Sequence, residues 1–363
     1  MNLDDFASFS QVDSLGMLAE IDGLPGQLET AWQLGLSQPL PADWPVLLSG
    51  ALPEIRQVLI SGMGGSAIPA DLLAAYAAPL GRVPIIVHRD YGLPAWAAGP
   101  QTLLIASSHS GDTEETLSVF EQGVSRGCRC LAIATGGTLL EAARQARLPA
   151  WTFAHTGQPR AAVGYSFGLL LAALFRLGLL PDPAQDLARA AAAMRGQQKR
   201  WQAGVPTVQN PAKRMAGQLM GRWVTVFGAG FLAPLARRWK TQMNELAKAV
   251  AQFELLPEAD HNTLAGIINP EELIARSMAI FLRAPSNHPR ERLRIELTRK
   301  VFMLEGLSTD IIDVEGDSPL DQLWTGLLMG DYVAYYLAVA YGIDPTSVPM
   351  LDGFKAEMRL ANG

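Results

Sequence analysis

Val58-Leu59-Ile60-Ser61-Gly62-Met63-Gly64-Gly65-Ser66-Ala67 is the stretch on which the fold turns. A short, β-branched apolar run stops at clustered glycines and gives way to an amphipathic stretch through Leu73, which reads as strand, tight turn and helix. The same grammar recurs downstream. Pro84–Val87 reads as a strand, and Leu103–Ala106 as another, followed by Ser107-Ser108-His109-Ser110-Gly111-Asp112-Thr113 and a helix near 114–124. Leu131–Ala134 precedes a Thr-Gly-Gly-Thr turn and a helix near 139–145, and Pro149–Phe153 is a fifth strand. Helices near 160–177 and 183–198 close this unit. Strands alternating with helices imply a parallel sheet covered on both faces.

The pattern restarts at Val224-Thr225-Val226-Phe227, followed by Gly228-Ala229-Gly230, with Gly62 and Gly228 separated by 166 positions. Strands at 278–282 and 308–314 and helices near 289–304, 317–341 and 348–359 follow. The expected architecture is α/β, with two tandem, related three-layer αβα domains built on parallel sheets. The division is an N-terminal helical arm (12–35) within residues 1–44, a proline-rich linker (37–45), a first domain over 45–203, a second over 204–345, and a C-terminal tail over 346–363.

Composition agrees with two cores: 363 residues with 49% hydrophobic and 18% charged side chains exceed what one ordinary core organises. The net charge of −6 and the absence of any Lys/Arg run argue against a nucleic-acid partner. Cys128 and Cys130 are too few for a disulfide framework and lack zinc-ligand spacing, so reduced thiols in a cytoplasmic protein are expected. The acidic N-terminus lacks the apolar core of a signal peptide. Two apolar stretches, 161–180 and 327–340, are interrupted by Arg176 and Asp331 and read as buried helices, so no membrane association is expected.

Gly62-Met63-Gly64-Gly65-Ser66-Ala67 and Gly228-Ala229-Gly230-Phe231-Leu232-Ala233 both fit G-x-G-x-x-A, and Asp90 stands where a ribose-binding acid would. A nicotinamide-dependent dehydrogenase is therefore a rival, and a ligand-free tight turn is the plainer account. The Ser107–Thr113 segment gathers hydroxyls and backbone N–H groups at a helix start, which suits a small phosphate better than an extended dinucleotide. Ordinary capping by Asp112 (with Glu115), Ser110 or Thr113 competes with that reading.

Glu245 lies in an apolar-periodic helix beside Asn244, where desolvation would suit a general base; a surface ion pair with Lys248 explains it equally well. His261 sits between Asp260 and Asn262 in a turn, and His109 lies in the hydroxyl loop, where polar filling suffices. There is no HExxH motif, so no metal is expected.

Taken in order, GMGGSA, SHSGDT, QPRAAVGYSFG, RRWKTQMNELAKA, LPEADHNTLAG, GDYVAYYLAVAYGIDPTSV and the final DGFK resemble the bifunctional phosphoglucose/phosphomannose isomerase family. The resemblance spans residues 56 to 358 or so. It implies two flavodoxin-like sugar isomerase (SIS) domains, a homodimer with its sites at the subunit interface, no cofactor, and interconversion of glucose 6-phosphate or mannose 6-phosphate with fructose 6-phosphate. It places Gly64, Gly65, Ser66, Ser108, Ser110 and Thr113 around the phosphate and Arg160 beside the reacting carbons. Glu245 becomes the base. His261, donated by the partner subunit, and Lys355 serve ring opening and hydroxyl contacts. The chain departs from the family pattern at Asp112 and Leu246 (Asn in the family) and at Ala67 (Gly). A non-catalytic sugar-phosphate sensor on the same fold is the second alternative.

Overall fold

In the computed structural model, which describes residues 1–42, 44 and 55–361, the apolar runs become strands and the glycine turns lie at their C-terminal ends. Two short helices, α1 (Met17–Asp22) and α2 (Leu24–Ser37), come first. The first sheet unit comprises β1 (Gln57–Ser61), α3 (Ile68–Ala77), β2 (Ile85–His88), β3 (Thr102–Ser107), α4 (Glu114–Ser125), β4 (Arg129–Ala134), α5 (Gly137–Gln145) and β5 (Ala150–Thr152). Helices α6 (Val163–Arg176), α7 (Ala184–Trp201) and α8 (Pro211–Leu219) follow. The second unit comprises β6 (Trp223–Ala229), α9 (Ala233–Glu245), β7 (Ala251–Leu256), α10 (Glu271–Ala275), β8 (Ser277–Arg283), α11 (Pro289–Leu304) and β9 (Ser308–Asp313). Helices α12 (Pro319–Tyr341) and α13 (Pro349–Ala361) end the chain.

Both sheets are wholly parallel, in the orders β2-β1-β3-β4-β5 and β7-β6-β8-β9. The first is the flavodoxin-type order, and the second repeats it with one strand fewer. In each, the direction of winding reverses between the first strand and its inner neighbour, at β1/β3 and at β6/β8. Such switch points leave a crevice outside the strand C-termini, where ligands bind in open α/β sheets.

A single apolar core runs between the sheets, and a smaller one lies on the outer face of each. Helix α12 is buried along almost its whole length, which is what a helix apolar on all sides requires. The charge in its middle, Asp331, is matched by Arg238 of α9, and Asp321 in its first turn caps the helix with Ser318. Among the described residues no helix is long and apolar enough to cross a membrane. Cys128 and Cys130 are buried and unpaired.

The N-terminal stretch expected as an arm does not project. Helix α2 packs along α6, and an added Cβ at Gly35 or Gly168 would meet Ala172 or Ala31 at 2.5 or 2.6 Å. Of the expected linker, Ser37 closes α2, and residues 43 and 45 lie outside the described residues. Three elements were not legible in sequence, the five-residue helix α10 among them. Strand β7 (Ala-Gln-Phe-Glu-Leu-Leu) is an edge strand with no β-branched residue. Helix α8 begins just past the expected start of the second domain at 204, and Asn210-Pro211 starts it well: Asn210 Oδ1 accepts from Ala212 N and Lys213 N at 3.0 and 3.2 Å.

Candidate active site

Strands β1 and β3 run side by side, with Ser61 opposite Ala106, so the two loops that leave them share the switch-point crevice. The first is closed by a 3-10 turn over Gly64–Ser66 with Gly64 at φ 48°. That conformation favours glycine. At Gly62 a Cβ would stand 2.8 Å from the Ser107 carbonyl, so the loops could not approach this closely with a side chain there.

The hydroxyls are arranged as acceptors of backbone N–H groups. Ser66 Oγ accepts from His109 N at 3.0 Å, Ser108 Oγ from Gly111 N at 3.1 Å, and Ser110 Oγ from Asp112 N at 3.2 Å. Ser108 Oγ also shares a 3.0 Å hydrogen bond with Thr113 Oγ1. A hydroxyl that only accepts still has its proton to give, and the Ser108–Thr113 pair keeps one of its two. The cup therefore offers several O–H donors at the N-terminus of α4 without containing a cation, which suits an anion.

The capping accounts are corrected in part. Thr113 is the N-cap of α4 but makes no side-chain capping bond, its hydroxyl being turned to Ser108. Asp112 serves the next helix: its Oδ1 accepts from Thr138 N at 2.9 Å and Thr138 Oγ1 at 2.8 Å in the first turn of α5. Its charge is thus engaged away from the hydroxyl cup. Ala67 is buried at an ordinary φ of −93° and needs no glycine, and Leu246 is buried in the core.

Gly65 joins the cup to the rest of the site. A Cβ there would meet Arg160 N and Pro159 C, both at 2.7 Å. Gly65→Ala should push the Arg160 turn away and cost about 1–3 kcal/mol; chemical denaturation checks the loss. Arg160 is 3% exposed. Its guanidinium Nη1 stands 3.5 Å from Glu245 Oε2, and Nη2 donates to the carbonyls of Pro345, at 3.0 Å, and Thr346. Burial lowers the Arg160 pKa, and the Glu245 carboxylate opposes that shift. Its carbonyl in turn accepts from Arg238 Nη2 at 2.9 Å, and Arg238 forms a bidentate pair with Asp331.

Glu245 is the last residue of α9, with its side chain 25% exposed. The expected alternative, an ion pair with Lys248, does not form. Lys248 turns its Nζ to the carbonyls of Leu246 and Asp344, at 3.2 and 2.5 Å, from a positive φ of 52°. Asn244 Nδ2 donates to Ala249 O at 2.8 Å and closes the same turn. The carboxylate is left facing the guanidinium.

The second glycine turn differs from the first. Its cradle is filled by the chain's own carboxylate: a Cβ at Gly230 would meet both Glu291 oxygens at 2.8 Å. Glu291 Oε2 also accepts from Asn287 Nδ2 at 3.1 Å and His288 N at 3.2 Å. The dinucleotide fingerprint there describes packing. Asp90, the candidate ribose ligand of the first turn, is exposed and accepts from Tyr91 N at 2.8 Å.

His261 and Lys355 are not brought to Glu245 by contacts within the chain. His261 is exposed at the end of a 3-10 turn after β7, and Lys355 lies on α13, a helix with no buried residue. Among the described residues no group of three His, Cys, Asp or Glu side chains could hold a metal ion.

Sequence reasoning missed a chain behind the cup. His109 Nε2 meets His155 Nδ1 at 2.9 Å, and His155 Nε2 meets Glu20 Oε2 at 3.1 Å. The signal available was the position of His155, five residues before Arg160 in the His-Thr-Gly-Gln-Pro-Arg run. Burial, and then the facing His155 ring, push the His109 pKa down from 6.5 to about 4. The unfolded chain then binds more protons than the folded one between those values, so His109 favours the fold above pH 6.5 and this contribution is lost as pH falls towards 4. Replacing His109 by Asn should flatten this part of the stability-against-pH curve, measured by urea unfolding.

Residues 208–358 match the sequence model of the bacterial phospho-glucose isomerase C-terminal SIS domain. The chain is 33% identical over 347 residues to a bifunctional phosphoglucose/phosphomannose isomerase from Caldicellulosiruptor bescii, covering 94% of this chain and 98% of that one. It is 30% identical to the protein of the same name from Aquifex aeolicus, over 83% of this chain and 90% of the relative. A glucose-6-phosphate isomerase like protein from Thermus thermophilus superposes with a TM-score of 0.64 at 19% identity, covering 96% of this chain and 98% of that one, a likeness of fold.

Proposed function

Because this chain belongs to the bifunctional phosphoglucose/phosphomannose isomerase family, we propose that it interconverts glucose 6-phosphate and mannose 6-phosphate with fructose 6-phosphate through a cis-enediol. The observation that carries the reading is the unbroken run from anion cup to base. Gly65 abuts the Arg160 backbone, and the Arg160 guanidinium faces Glu245 at 3.5 Å.

The phosphate occupies the cup of Gly64, Gly65, Ser66, Ser108, Ser110 and Thr113. Held there, the dianion supplies binding energy remote from the reacting carbons and orients C1 and C2 towards Glu245. The carboxylate removes the proton beside the carbonyl and returns it to the neighbouring carbon. Arg160 stabilises the charge that develops on the enediolate oxygens. One enediol serves both aldoses, since protonation on either face of C2 gives one epimer or the other. No cofactor takes part in this scheme.

His261 and Lys355 open the sugar ring and contact its hydroxyls in a cytoplasmic homodimer, with His261 donated by the partner. Supporting this, α13 exposes Met350, Leu351, Phe354 and Leu360 while burying nothing, and α11 exposes Leu293, Leu297 and Leu304. Apolar side chains clustered on helices in this way suit a subunit contact.

Fructose 6-phosphate given to chelator-treated enzyme, with each aldose phosphate measured by its own coupled assay, tests the reading. Both products are expected. Binding without conversion would instead favour the sensor, and stabilisation by NAD but not by fructose 6-phosphate would favour a dehydrogenase. Removing one donor, as in Ser66→Ala or Ser108→Ala, should raise KM roughly 10-fold, the usual scale for a hydrogen bond to a charged group. Inorganic phosphate should weaken as a competitive inhibitor in proportion.

A further inference from the structure

The Glu20–His155–His109 chain crosses from the N-terminal helices into the hydroxyl loop and has no place in the isomerisation chemistry. Glu20 lies on α1, His155 just after β5, and His109 in the loop after β3. The His155 side chain is 6% exposed and that of Glu20 32%. The rings sit in an aromatic box: His109 packs edge-on against Phe153 at 5.9 Å, His155 lies 5.7 Å from the Tyr165 ring, and Phe153 stacks on Tyr165 at 5.4 Å. Gly157 lets the carboxylate reach the imidazole, since a Cβ there would stand 2.8 Å from both Glu20 Oε1 and His155 Cε1.

The Glu20 carboxylate only accepts, so His155 donates to it from Nε2, and the 2.9 Å bond between His155 Nδ1 and His109 Nε2 carries the chain on into the loop. The ring of His109 is thereby fixed, and its backbone is fixed as well. Its N–H donates to Ser66 Oγ at 3.0 Å, and its carbonyl accepts from Thr135 N at 2.9 Å and Thr135 Oγ1 at 2.8 Å. His109 is the residue through which the hydroxyl loop is tied to the first glycine turn. The same N-terminal helices also reach the arginine turn, where Gln27 Nε2 donates to Ala161 O at 2.9 Å.

We propose that Glu20 and His155 are positioning residues for substrate phosphate, acting through the His109 imidazole to hold the two halves of the hydroxyl cup in register. This rests on the isomerase reading for the identity of the anion. The chain touches neither Glu245 nor Arg160, so its loss falls on anion binding, through the cost of ordering a loosened loop.

The experiment compares His155→Ala, Glu20→Ala and the double variant with wild type. It measures KM and kcat for fructose 6-phosphate, the dissociation constant of inorganic phosphate by calorimetry, and thermal midpoint. His155→Ala should raise KM and the phosphate constant together by roughly 10-fold, with kcat within about twofold of wild type, as expected for lost pre-organisation at a charged ligand. Glu20→Ala, at a partly exposed position, should move both in the same direction by less. The double variant should be no worse than His155→Ala, because both act through one chain. A drop in thermal midpoint with KM and phosphate binding unchanged would overturn the proposal, as would a loss confined to kcat. Phosphate binding is read without turnover, so absence of isomerase activity in wild type would strike the functional reading and leave this one separately decided.

Discussion

Glu245→Gln is expected to lower kcat for fructose 6-phosphate by about 10²–10⁴-fold, the usual share of a positioned general base, while KM and stability stay close to wild type. The amide keeps the shape of the side chain and can still meet the Arg160 guanidinium through its carbonyl oxygen, but it cannot take a proton. Glu245 ends α9, its side chain is only partly buried, and Arg160 keeps its hydrogen bonds to the Pro345 and Thr346 carbonyls, so the fold should lose little. The hydroxyl cup contains no part of Glu245, so inorganic phosphate should bind the variant as it binds wild type. Turnover at near wild-type rate would remove Glu245 from the role of base.

Asp331→Ala is expected to destabilise the protein by about 3–5 kcal/mol, because it strands a guanidinium in the core. Arg238 Nε and Nη2 donate to the two oxygens of Asp331 at 3.0 and 2.7 Å, and the side chains are 1% and 5% exposed. Burial drives the Asp331 carboxyl pKa upward; the opposing guanidinium favours its ionised form. Replacing both partners, as in Arg238→Met with Asp331→Leu, should recover much of the stability, since apolar side chains of similar size replace buried ion pairs at little cost. Activity should not recover with it. Arg238 Nη2 also donates to the Arg160 carbonyl at 2.9 Å, so the double variant leaves the arginine turn without that support. Urea unfolding and kcat, measured on the same variants, separate the two effects.

The fold was legible because its punctuation is local. Glycines follow apolar β-branched runs in both halves, and strands β1, β3, β4, β6 and β8 are central, buried strands that read as continuous apolar segments. Strand β7 escaped because an edge strand needs no such run. Within the site, the hydroxyl cup is contiguous in sequence and could be anticipated. The facing of Arg160 and Glu245 could be inferred only by resemblance, because it depends on how α9 packs across the first unit. The ion pair expected between Glu245 and Lys248 fails on backbone: a left-handed Lys248 swings its ammonium towards Asp344. The second glycine turn looked like the first in sequence because the carboxylate that fills it, Glu291, arrives from another helix. Glu20 was invisible for the same reason, standing 135 residues from the histidine it meets.

The central claim is that one carboxylate moves a proton between adjacent carbons of a phosphate-anchored sugar. Conversion of fructose 6-phosphate in D2O, with chelator present and the aldose products examined by proton NMR, tests it most directly. The account predicts glucose 6-phosphate and mannose 6-phosphate carrying solvent deuterium at C2 in a measurable fraction, and no such products from Glu245→Gln. Products formed undiminished by the Glu245→Gln variant would contradict it.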